Sequence, residues 1–495
     1  MTRRVATSAP AQVKSRWYES ILARCPLAWF GTKPGYHWFV VGTVCVGAFM
    51  AALDASKVNV AMPTLIDAFG IGMNRVEWVS IAYLLTLTSL LTVLGSLSDH
   101  LGRKLFYTFG FAMFIVASAL CGAAPSLTCL IVCRVLQAIG AAMLQANSVA
   151  IITAAVPARS RGKAIGFQGS AQAVGLSVGP AIGGLLIARF GWRSIFYTNL
   201  PVGALGAILA LLILPRDAVN RAGKRFDCVG ALALGPALVA LMLALKDGYR
   251  LGWLSPTILL EVAIALALLF AFMVWESRCE NPMVNLNLLK IWAFFVGNTT
   301  GVLSYCLLYG TLFLMPFYLE WALHSPPATT GFILAPLALA MMVTTPISGI
   351  LSDRIGTRSL TSIGMAIAAS GAALLAMLPR ASMLVALILV GAGVGIFTPP
   401  NNSSVMGSVP SNHLGVAGGM LNMSRSVGMS LGIAAAGTLF GFFSGQVHVV
   451  DQNLAYPTMV RAFDSAFAGM AAIAVLAALI GVVRSQVARR GAQAA

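Results

Sequence analysis

The chain has 495 residues, of which 58% are hydrophobic and only 9% are charged. A soluble domain is about half apolar and about a quarter charged, so this composition excludes a mainly soluble protein. The net charge of +17 would suggest nucleic acid in a soluble chain, but here the basic residues lie in short segments between apolar runs, as in membrane proteins, so no nucleic-acid partner is expected.

Apolar segments long enough to cross a bilayer, about 20 residues each, recur along the whole chain. Six predicted spans come first, at residues 38–63, 76–97, 105–123, 127–156, 164–188 and 193–214. Two more follow at 227–246 and 254–275, and then six at 293–318, 329–350, 360–378, 382–407, 414–443 and 464–483. The sequence thus predicts an all-α integral membrane protein with fourteen spans.

These spans predict five regions. They are a cytoplasmic N-terminal tail at 1–37, an N-terminal six-helix bundle at 38–214, two extra transmembrane helices at 215–280, a C-terminal six-helix bundle at 281–483 and a cytoplasmic tail at 484–495. The first 36 residues lack the apolar core and cleavage site of a signal peptide, so the first span is expected to remain as an anchor.

The distribution of basic residues predicts the orientation of these spans. Of the 32 Lys and Arg residues, 22 lie in the tails and in the loops on the same side, seven lie on the other side and three lie inside spans. Since basic loops stay in the cytoplasm, both termini are predicted to be cytoplasmic. The expected location is a bacterial inner membrane.

An internal repeat relates the two predicted bundles. Residues 95–104, GSLSDHLGRK, return as residues 349–358, GILSDRIGTR, so that a glycine, an aspartate and a second glycine each recur 254 residues later. Each copy follows the second span of a bundle. Two parallel bundles that enclose a site at the membrane midplane are the architecture expected of a major facilitator transporter.

Four further stretches carry a closer resemblance. They are LDASKVNVAMP at 53–63, RVLQAIGAA at 134–142, GLSVGPAIGG at 175–184 and NMSRSVG at 422–428. In this order and on matching spans, they resemble the fourteen-span drug:proton antiporters of the EmrB/QacA type over nearly the whole chain. The resemblance implies export of small, amphipathic compounds in exchange for protons by alternating access, which is multidrug efflux.

Charged residues inside spans are costly in hydrocarbon and therefore indicate function. Asp54 and Arg134 are both predicted to lie about 10 to 14 Å below the outer boundary, in one layer. A neighbouring guanidinium favours the ionised carboxylate whereas burial favours the neutral acid, which suits a proton carrier. The resemblance also implies that Asp54 carries the proton and that Arg134 tunes it. A purely structural ion pair is the alternative.

Lys57 is a departure from the family pattern, which has an apolar residue at this position. It lies one turn from Asp54 and adds a positive charge to the Asp54–Arg134 layer. We therefore predict that the protein prefers neutral, zwitterionic or anionic compounds over lipophilic cations. The alternatives are that Lys57 pairs with Asp54 or extends its flexible side chain toward the outer interface.

Other polar and glycine-rich positions are assigned to the cavity and to gating. The predicted cavity residues are Lys57, Asn59, Gln137, Gln145, Gln168, Gln172, Asn298, Asn422 and Arg425, although hydrogen bonding between helices explains each amide equally well. The gating residues that the resemblance implies are Gly95, Asp99, Gly102, Arg103, Lys104, Gly175, Gly179, Pro180, Gly183, Gly184, Asp353 and Arg354. In such proteins the span-five glycines seal the cytoplasmic ends of the two halves, and Asp99 acts as a latch with a weaker counterpart at Asp353.

Several function classes are disfavoured by missing motifs. The sequence contains no phosphate-binding GxxxxGK[ST] motif, no HExxH, and no nucleophile motif with partners, so neither an ATP-driven pump nor an enzyme is expected, and no metal or cofactor is predicted. The remaining alternatives are a proton-coupled importer or symporter, or an exporter of a specific organic anion or metabolite. The expected partners are membrane lipid, protons and a small-molecule substrate, with a periplasmic adaptor and outer-membrane channel if the host is Gram-negative.

Overall fold

The computed structural model describes residues 35–70, 73–76, 78–215, 226–279, 282–284, 286–323, 327–377, 383–410, 413–444 and 456–493. Within these ranges the chain forms fourteen helices of at least 15 residues. They are α1 (Tyr36–Phe69), α2 (Trp78–Leu101), α3 (Arg103–Ala123), α4 (Leu127–Ala155), α5 (Arg161–Phe190), α6 (Asn199–Ile213), α7 (Cys228–Leu251), α8 (Pro256–Arg278), α9 (Trp292–Phe317), α10 (Pro327–Ile355), α11 (Thr357–Met377), α12 (Met383–Gly407), α13 (Leu414–Ser444) and α14 (Tyr456–Gln493).

Helices are the expected elements because hydrocarbon offers no partner for backbone N–H and C=O groups, and an α-helix satisfies them internally. Thirteen helices in the described part of the chain are long and apolar enough to cross a membrane. The remaining long helix is α5, whose sequence is rich in glycine and glutamine and coincides with the predicted span 164–188. The predicted all-helical membrane fold is confirmed.

Two tight turns connect helices at the same end of the molecule. Gly102 joins α2 to α3 with φ 102°, and Gly356 joins α10 to α11 with φ 89°. An L side chain is strained in this left-handed region, so both turns require glycine. The two turns contain the repeated sequence motif, and we call the end of the molecule that carries them the loop end.

The helices pack into two groups that follow the internal repeat. In the first half, α1 packs on α5 and α4, α3 packs on α4 and α6, and α2 packs on α4. In the second half, α12 packs on α10 and α11, and α14 packs on α9, α11 and α13. One cluster of buried apolar side chains lies within the second half. The larger cluster of the first half also includes side chains of α7, α8, α9, α12 and α13, and α4 packs directly on α13.

Two main seams join the halves, and the extra helix pair lies along one of them. Helix α2 packs against α13, and its counterpart α10 packs against α5. Helix α7, paired with α8, packs on both α2 and α13, where Met242 and Leu245 contact Ala434. Trp253, just after α7, donates a hydrogen bond from Nε1 to Thr438 Oγ1 at 2.8 Å. The extra pair therefore covers the α2/α13 seam on its outer side.

Candidate functional site

Asp54 and Arg134 form an ion pair in the interior of the first half. Arg134 Nη1 donates to Asp54 Oδ2 at 2.7 Å, and both side chains are only 1% exposed. The predicted contact between α1 and α4 is therefore present. The guanidinium also donates to the Val79 carbonyl at 3.2 Å and lies 4.1 Å from the centre of the Tyr83 ring, so α2 supplies one wall of the site.

Amide and hydroxyl side chains surround the other oxygen of this carboxylate. Asp54 Oδ1 accepts hydrogen bonds from Asn199 Nδ2 at 2.6 Å and from Gln137 Nε2 at 3.1 Å. Gln137 Oε1 in turn accepts from Arg134 at 2.7 Å, and Gln137 Nε2 also donates to Ser118 Oγ at 2.8 Å. Three donors, from Arg134, Gln137 and Asn199, thus stabilise a negative charge on Asp54. Four helices, α1, α3, α4 and α6, hold the network together.

Lys57 lies beside this network and is fully buried. Its ammonium donates three hydrogen bonds, to the Ile195 carbonyl at 3.0 Å, to Thr198 Oγ1 at 2.7 Å and to Asn199 Oδ1 at 3.0 Å. The three donors of the ammonium are thus all used. Within the described residues, these hydrogen bonds differ from the alternative in which Lys57 pairs directly with Asp54. The expected place of Lys57 in the substrate cavity stays a prediction. The long stem of Lys57 carries the charge to the start of α6.

Asn199 connects the two charges that the sequence placed one turn apart. Its Oδ1 accepts from Lys57 and its Nδ2 donates to Asp54. The sequence alone assigns no role to Asn199. The available signal was an asparagine beside Pro201 in an apolar segment, but nothing in the sequence shows that its partners lie 142 and 145 residues earlier.

Two small cavities contain predicted cavity residues, one between the halves and one within the second half. The first is lined by Gln145, Ser148, Gln168, Gln172 and Asn422, among others, so the structure brings four predicted cavity residues together. The second lies in the second half and includes Asn298 and Arg425, also predicted, together with Tyr305, Asn401 and Ser424. Gln137 lies in the Asp54 network instead of lining either cavity. Asn59 lies in α1, but its side chain is outside the described part of the structure.

The glycine face of α5 packs against α1 of the same half. A Cβ atom on Gly175 would lie 2.6 Å from the Phe49 carbonyl oxygen, one on Gly179 would lie 2.5 Å from Ser56 Cβ, and one on Gly183 would lie 3.3 Å from Lys57 Cα. These three glycines therefore form a face that packs closely on α1. The expected role of this face in sealing the two halves stays a prediction. Gly184 faces open space instead, and the Pro180 side chain lies outside the described residues.

Other glycines make the close contacts between the halves at the loop end. A Cβ atom on Gly95 of α2 would lie 3.4 Å from Gly419 Cα of α13. In the related seam, one on Gly349 of α10 would lie 3.1 Å from Gly166 Cα of α5. Both seams thus depend on backbones that approach without side chains between them.

The repeated aspartates bind helix N-termini across the two seams. Asp99 accepts from the backbone N–H groups of Gly415 and Val416, both at 3.0 Å. Asp353 accepts from those of Gly162 and Lys163, at 2.9 and 2.8 Å. Both aspartates accept two backbone hydrogen bonds of similar length. These distances therefore do not distinguish a weaker contact at Asp353 from the contact at Asp99.

The basic residues of the motif differ in their contacts. Arg103 Nη2 donates to Asp99 at 2.7 Å, and position 357, which matches it in the second copy, is a threonine. Lys104 donates to the carbonyls of Leu211 and Leu214 at the end of α6, at 2.8 and 2.7 Å. Arg354 is exposed. Among the three predicted gating cations, and within the part of the chain that the structure describes, the side chain of Arg103 is therefore the one that contacts Asp99 or Asp353.

Comparisons with known proteins agree with this architecture. The model of the Major Facilitator Superfamily matches residues 44–288 and 298–494. The chain is 34% identical over 435 residues to the riboflavin transporter RibZ of Clostridioides difficile, which covers 87% of this chain and 92% of that protein. It is 34% identical over 399 residues to the multidrug resistance protein Stp of Mycobacterium tuberculosis, covering 80% and 74% of the two chains.

A solved structure shares the fold at low sequence identity. The human organic anion transporter MFSD10 superimposes with a TM-score of 0.67 at 14% identity, over 91% of this chain and the whole of that one. The family model spans both six-helix halves, and the relatives cover most of the chain. The protein is therefore a multi-pass membrane transporter that belongs to the Major Facilitator Superfamily.

Proposed function

We propose that the protein is a proton-coupled antiporter that exports small, amphipathic compounds by alternating access, with Asp54 as the proton carrier. The observation that carries the proposal is the Asp54–Arg134 pair, buried in a membrane protein and surrounded by Gln137 and Asn199. Burying a carboxylate in the membrane interior costs desolvation energy that an apolar side chain would not. A carboxylate that is nevertheless kept there and held by several donors therefore indicates a function other than stabilising the fold.

The arrangement supplies two opposing effects on the carboxyl group of Asp54. Burial favours the neutral acid, whereas Arg134 and the two amide donors favour the ionised form. A movement of α4 or α6 that lengthens these bonds changes the balance and allows a proton to bind. Proton binding is then linked to the conformational change that transport requires. Arg134 stays charged throughout and acts by position.

Alternating access requires that the two seams open and close, and the aspartate latches suit this role. We place the loop end in the cytoplasm, as the basic loops indicate, so the latched conformation is closed toward the cytoplasm. In this proposal the protein lies in a bacterial inner membrane with both termini in the cytoplasm. It belongs to the fourteen-span, EmrB/QacA-like group, with α7 and α8 as the extra pair between two six-helix bundles.

Export as the direction of transport is supported by a relative that is named for multidrug resistance. One relative is a multidrug resistance protein and another a riboflavin transporter, so the proposed cargo is an amphipathic compound, without commitment to one chemical. A periplasmic adaptor and an outer-membrane channel are proposed partners only for a Gram-negative host.

The test is Asp54→Asn in proteoliposomes with an imposed pH gradient. We expect proton-driven export to be lost, because the amide keeps the volume of the side chain and removes the titrating group. Asp247→Asn is the matched control, since Asp247 is also a carboxylate in an apolar helix but contacts Lys246 at the surface. Its export is expected to equal that of the wild type. Proton-driven export that persists in Asp54→Asn would overturn the role of Asp54.

Folding of this variant needs a separate check. Removal of one partner leaves Arg134 buried without its carboxylate, which costs about 3–5 kcal/mol in a buried pair. The double variant Asp54→Asn, Arg134→Gln removes both charges and is expected to recover stability but not proton coupling. The direction of substrate movement in the same vesicles distinguishes an antiporter from an importer or symporter.

A further inference from the structure

Arg425, on α13, is a buried cation without a carboxylate beside it. Its side chain is 6% exposed, and no Asp or Glu among the described residues lies within salt-bridge distance of it. The helices that line the adjoining cavity, α9, α12 and α13, contain no acidic residue in their sequences. Arg134 is also buried, but it is paired with Asp54, whereas Arg425 has no such carboxylate.

The contacts of Arg425 with described residues leave much of its guanidinium available. Nη1 donates to Asn422 Oδ1 at 3.1 Å, and the group lies 5.4 Å from the centre of the Tyr305 ring. A guanidinium has five N–H donors in a planar fork that matches a carboxylate. Among the described residues, the buried cations are Lys57, Arg134 and Arg425, and the buried carboxylates are Asp54, Asp227 and Glu276. Asp54 pairs with Arg134, Asp227 caps the start of α7 and Glu276 lies in α8, so none of the three neutralises Arg425.

A buried acceptor in the same cavity also lacks a partner. Asn401 donates from Nδ2 to the Gly297 carbonyl at 2.8 Å, but its Oδ1 has no hydrogen-bond partner among the described residues. Asn298, Asn402 and Ser424 add further polar groups, and Tyr305 and Phe397 add aromatic walls. The cavity thus offers a cation, an unused acceptor and flat apolar surfaces.

We propose that this cavity binds an organic anion during transport. The acidic group of the substrate pairs with Arg425, its ring packs on Tyr305, and an N–H or O–H of the substrate donates to Asn401 Oδ1. The inference rests on the proposed transport function and names the substrate class. The sequence assigned the preference for anionic substrates to Lys57, but the Lys57 ammonium already donates to three protein acceptors. Arg425 is therefore the residue to which we assign this preference.

The competing interpretation is structural. Arg425 holds Asn422, and Asn422 Nδ2 donates to the Gln145 carbonyl of the other half at 2.9 Å. In that case the arginine stabilises the unliganded protein, and its loss affects all substrates alike. If Arg425 serves anion binding, the unliganded protein carries an uncompensated charge, and its neutral replacement is expected to be at least as stable.

The experiment measures binding of matched acid and amide probes to purified protein in detergent at neutral pH. The probes are benzoate, 2-naphthoate and anthracene-9-carboxylate, each compared with its own carboxamide, and the readout is the ligand-induced rise in Tm. For the wild type we expect at least one carboxylate to bind about tenfold or more tightly than its amide, as a charge-assisted hydrogen bond implies.

Three variants make the result specific to the charge. Arg425→Gln is expected to remove the preference for the carboxylate, leaving amide affinity within about twofold and the unliganded Tm unchanged or higher, because only the charge is lost. Arg425→Lys retains part of the preference. Asn401→Asp places a carboxylate in the same cavity, so it is expected to weaken carboxylate binding even if Arg425→Gln does not fold.

Two results would overturn the anion site: no carboxylate is preferred over its amide by the wild type, or Arg425→Gln weakens both members of a pair equally. Asp54→Asn is measured in the same binding experiment, and it is expected to keep the preference for the carboxylate over the amide. This variant therefore separates anion binding from proton coupling. If anion binding is present but proton-driven transport is absent in the wild type, the proposed function fails and the anion site stands.

Discussion

At the scale of residues, the cost of burying a charge explains which positions could be identified from the sequence as candidate functional residues. Asp54 and Arg134 could be predicted as partners because each is a rare ion in an apolar segment and both lie at a similar depth. Lys57 could not be placed in the same way. One helical turn separates it from Asp54, but its flexible stem reaches carbonyl and hydroxyl groups that come about 140 residues later in the chain.

The placement of Lys57 gives a prediction that departs from the sequence hypothesis. Lys57→Met leaves the acceptors of Ile195, Thr198 and Asn199 without their donor. We expect a loss of at least about 1–3 kcal/mol, because a buried unpaired polar group costs this much. Thermal unfolding in detergent measures the loss, and the ratio of cation to anion export is expected to stay unchanged.

Lys246→Met is the matched control for this substitution. Lys246 is half-buried and contacts Asp247 at 3.2 Å near the surface, so its loss is expected to cost no more than about 1 kcal/mol. If Lys57→Met instead leaves Tm unchanged and increases cation export, the charge of Lys57 does face the substrate, and the sequence hypothesis is correct.

At the scale of elements, the glycine pattern of α5 shows what the spacing of residues along a helix can predict about its packing. Three glycines spaced four residues apart predict one smooth face, and the structure has that face. The pattern does not identify the partner helix, since any close neighbour satisfies it. The partner is α1, so the face positions the segment that carries Asp54 and Lys57. The seams between the halves depend on Gly95, Gly349 and their neighbours instead.

Gly179→Ala tests this packing. The new Cβ atom would lie 2.5 Å from Ser56 Cβ and 2.6 Å from Ser56 Oγ, which donates to the Leu176 carbonyl at 2.8 Å. We expect a loss of about 1–3 kcal/mol, as for overpacking of a filled core, together with reduced export. Because α1 and α5 belong to one half, no increase in proton leak through the seams is expected.

Gly184→Ala is the control on the same helix, since its Cβ atom would meet no other atom within 4 Å. Alanine is favoured over glycine in a helix by about 1 kcal/mol, so this variant is expected to be as stable as the wild type or more so. Equal effects of the two substitutions on Tm and export would show that the close approach of α5 to α1 has no consequence.

At the scale of the whole molecule, the internal repeat produces two related seams. Asp99 binds the N-terminus of α13, and Asp353 binds the N-terminus of α5. Each aspartate closes a seam where glycine backbones already touch. The α7–α8 pair breaks this symmetry, because in the part of the chain that the structure describes it packs along the seam between α2 and α13 and not along the other seam.

We predict that Asp99→Asn combined with Asp353→Asn opens the loop end. Each contact at a helix N-terminus contributes about 0.5–2 kcal/mol, so loss of both shifts the population of closed molecules by roughly tenfold or more. Spin labels at the exposed positions Leu101 and Ile355, in a protein whose cysteines are replaced, report the distance between the halves. We expect a longer distance in the double variant and a partial change in each single variant.

Asp247→Asn controls for the loss of a carboxylate outside both seams and is expected to leave the distance distribution unchanged. If the double variant also gives the wild-type distribution, the aspartates do not hold the halves together. A change in only one single variant would instead show that a single seam determines the conformation.

The sequence by itself determined the helical membrane fold, the repeat, the Asp54–Arg134 pair and the two aspartate motifs. Each depends on a local property: about 20 apolar residues per span, the desolvation of a charge, or a glycine required at a tight turn. Each of these costs applies to a residue whatever its partners in the fold are. They can therefore be recognised from the amino-acid sequence alone.

Apart from the Asp54–Arg134 pair, the tertiary structure alone decided which groups meet. Asn199 bridges Lys57 and Asp54, α5 packs on α1, and Arg425 lies in a cavity without a carboxylate. These contacts join residues far apart in sequence, and several arrangements of helices satisfy the same apolar patterns equally well. Partners of buried polar groups are fixed only when all helices pack, because each group binds whichever donor or acceptor that packing brings within reach.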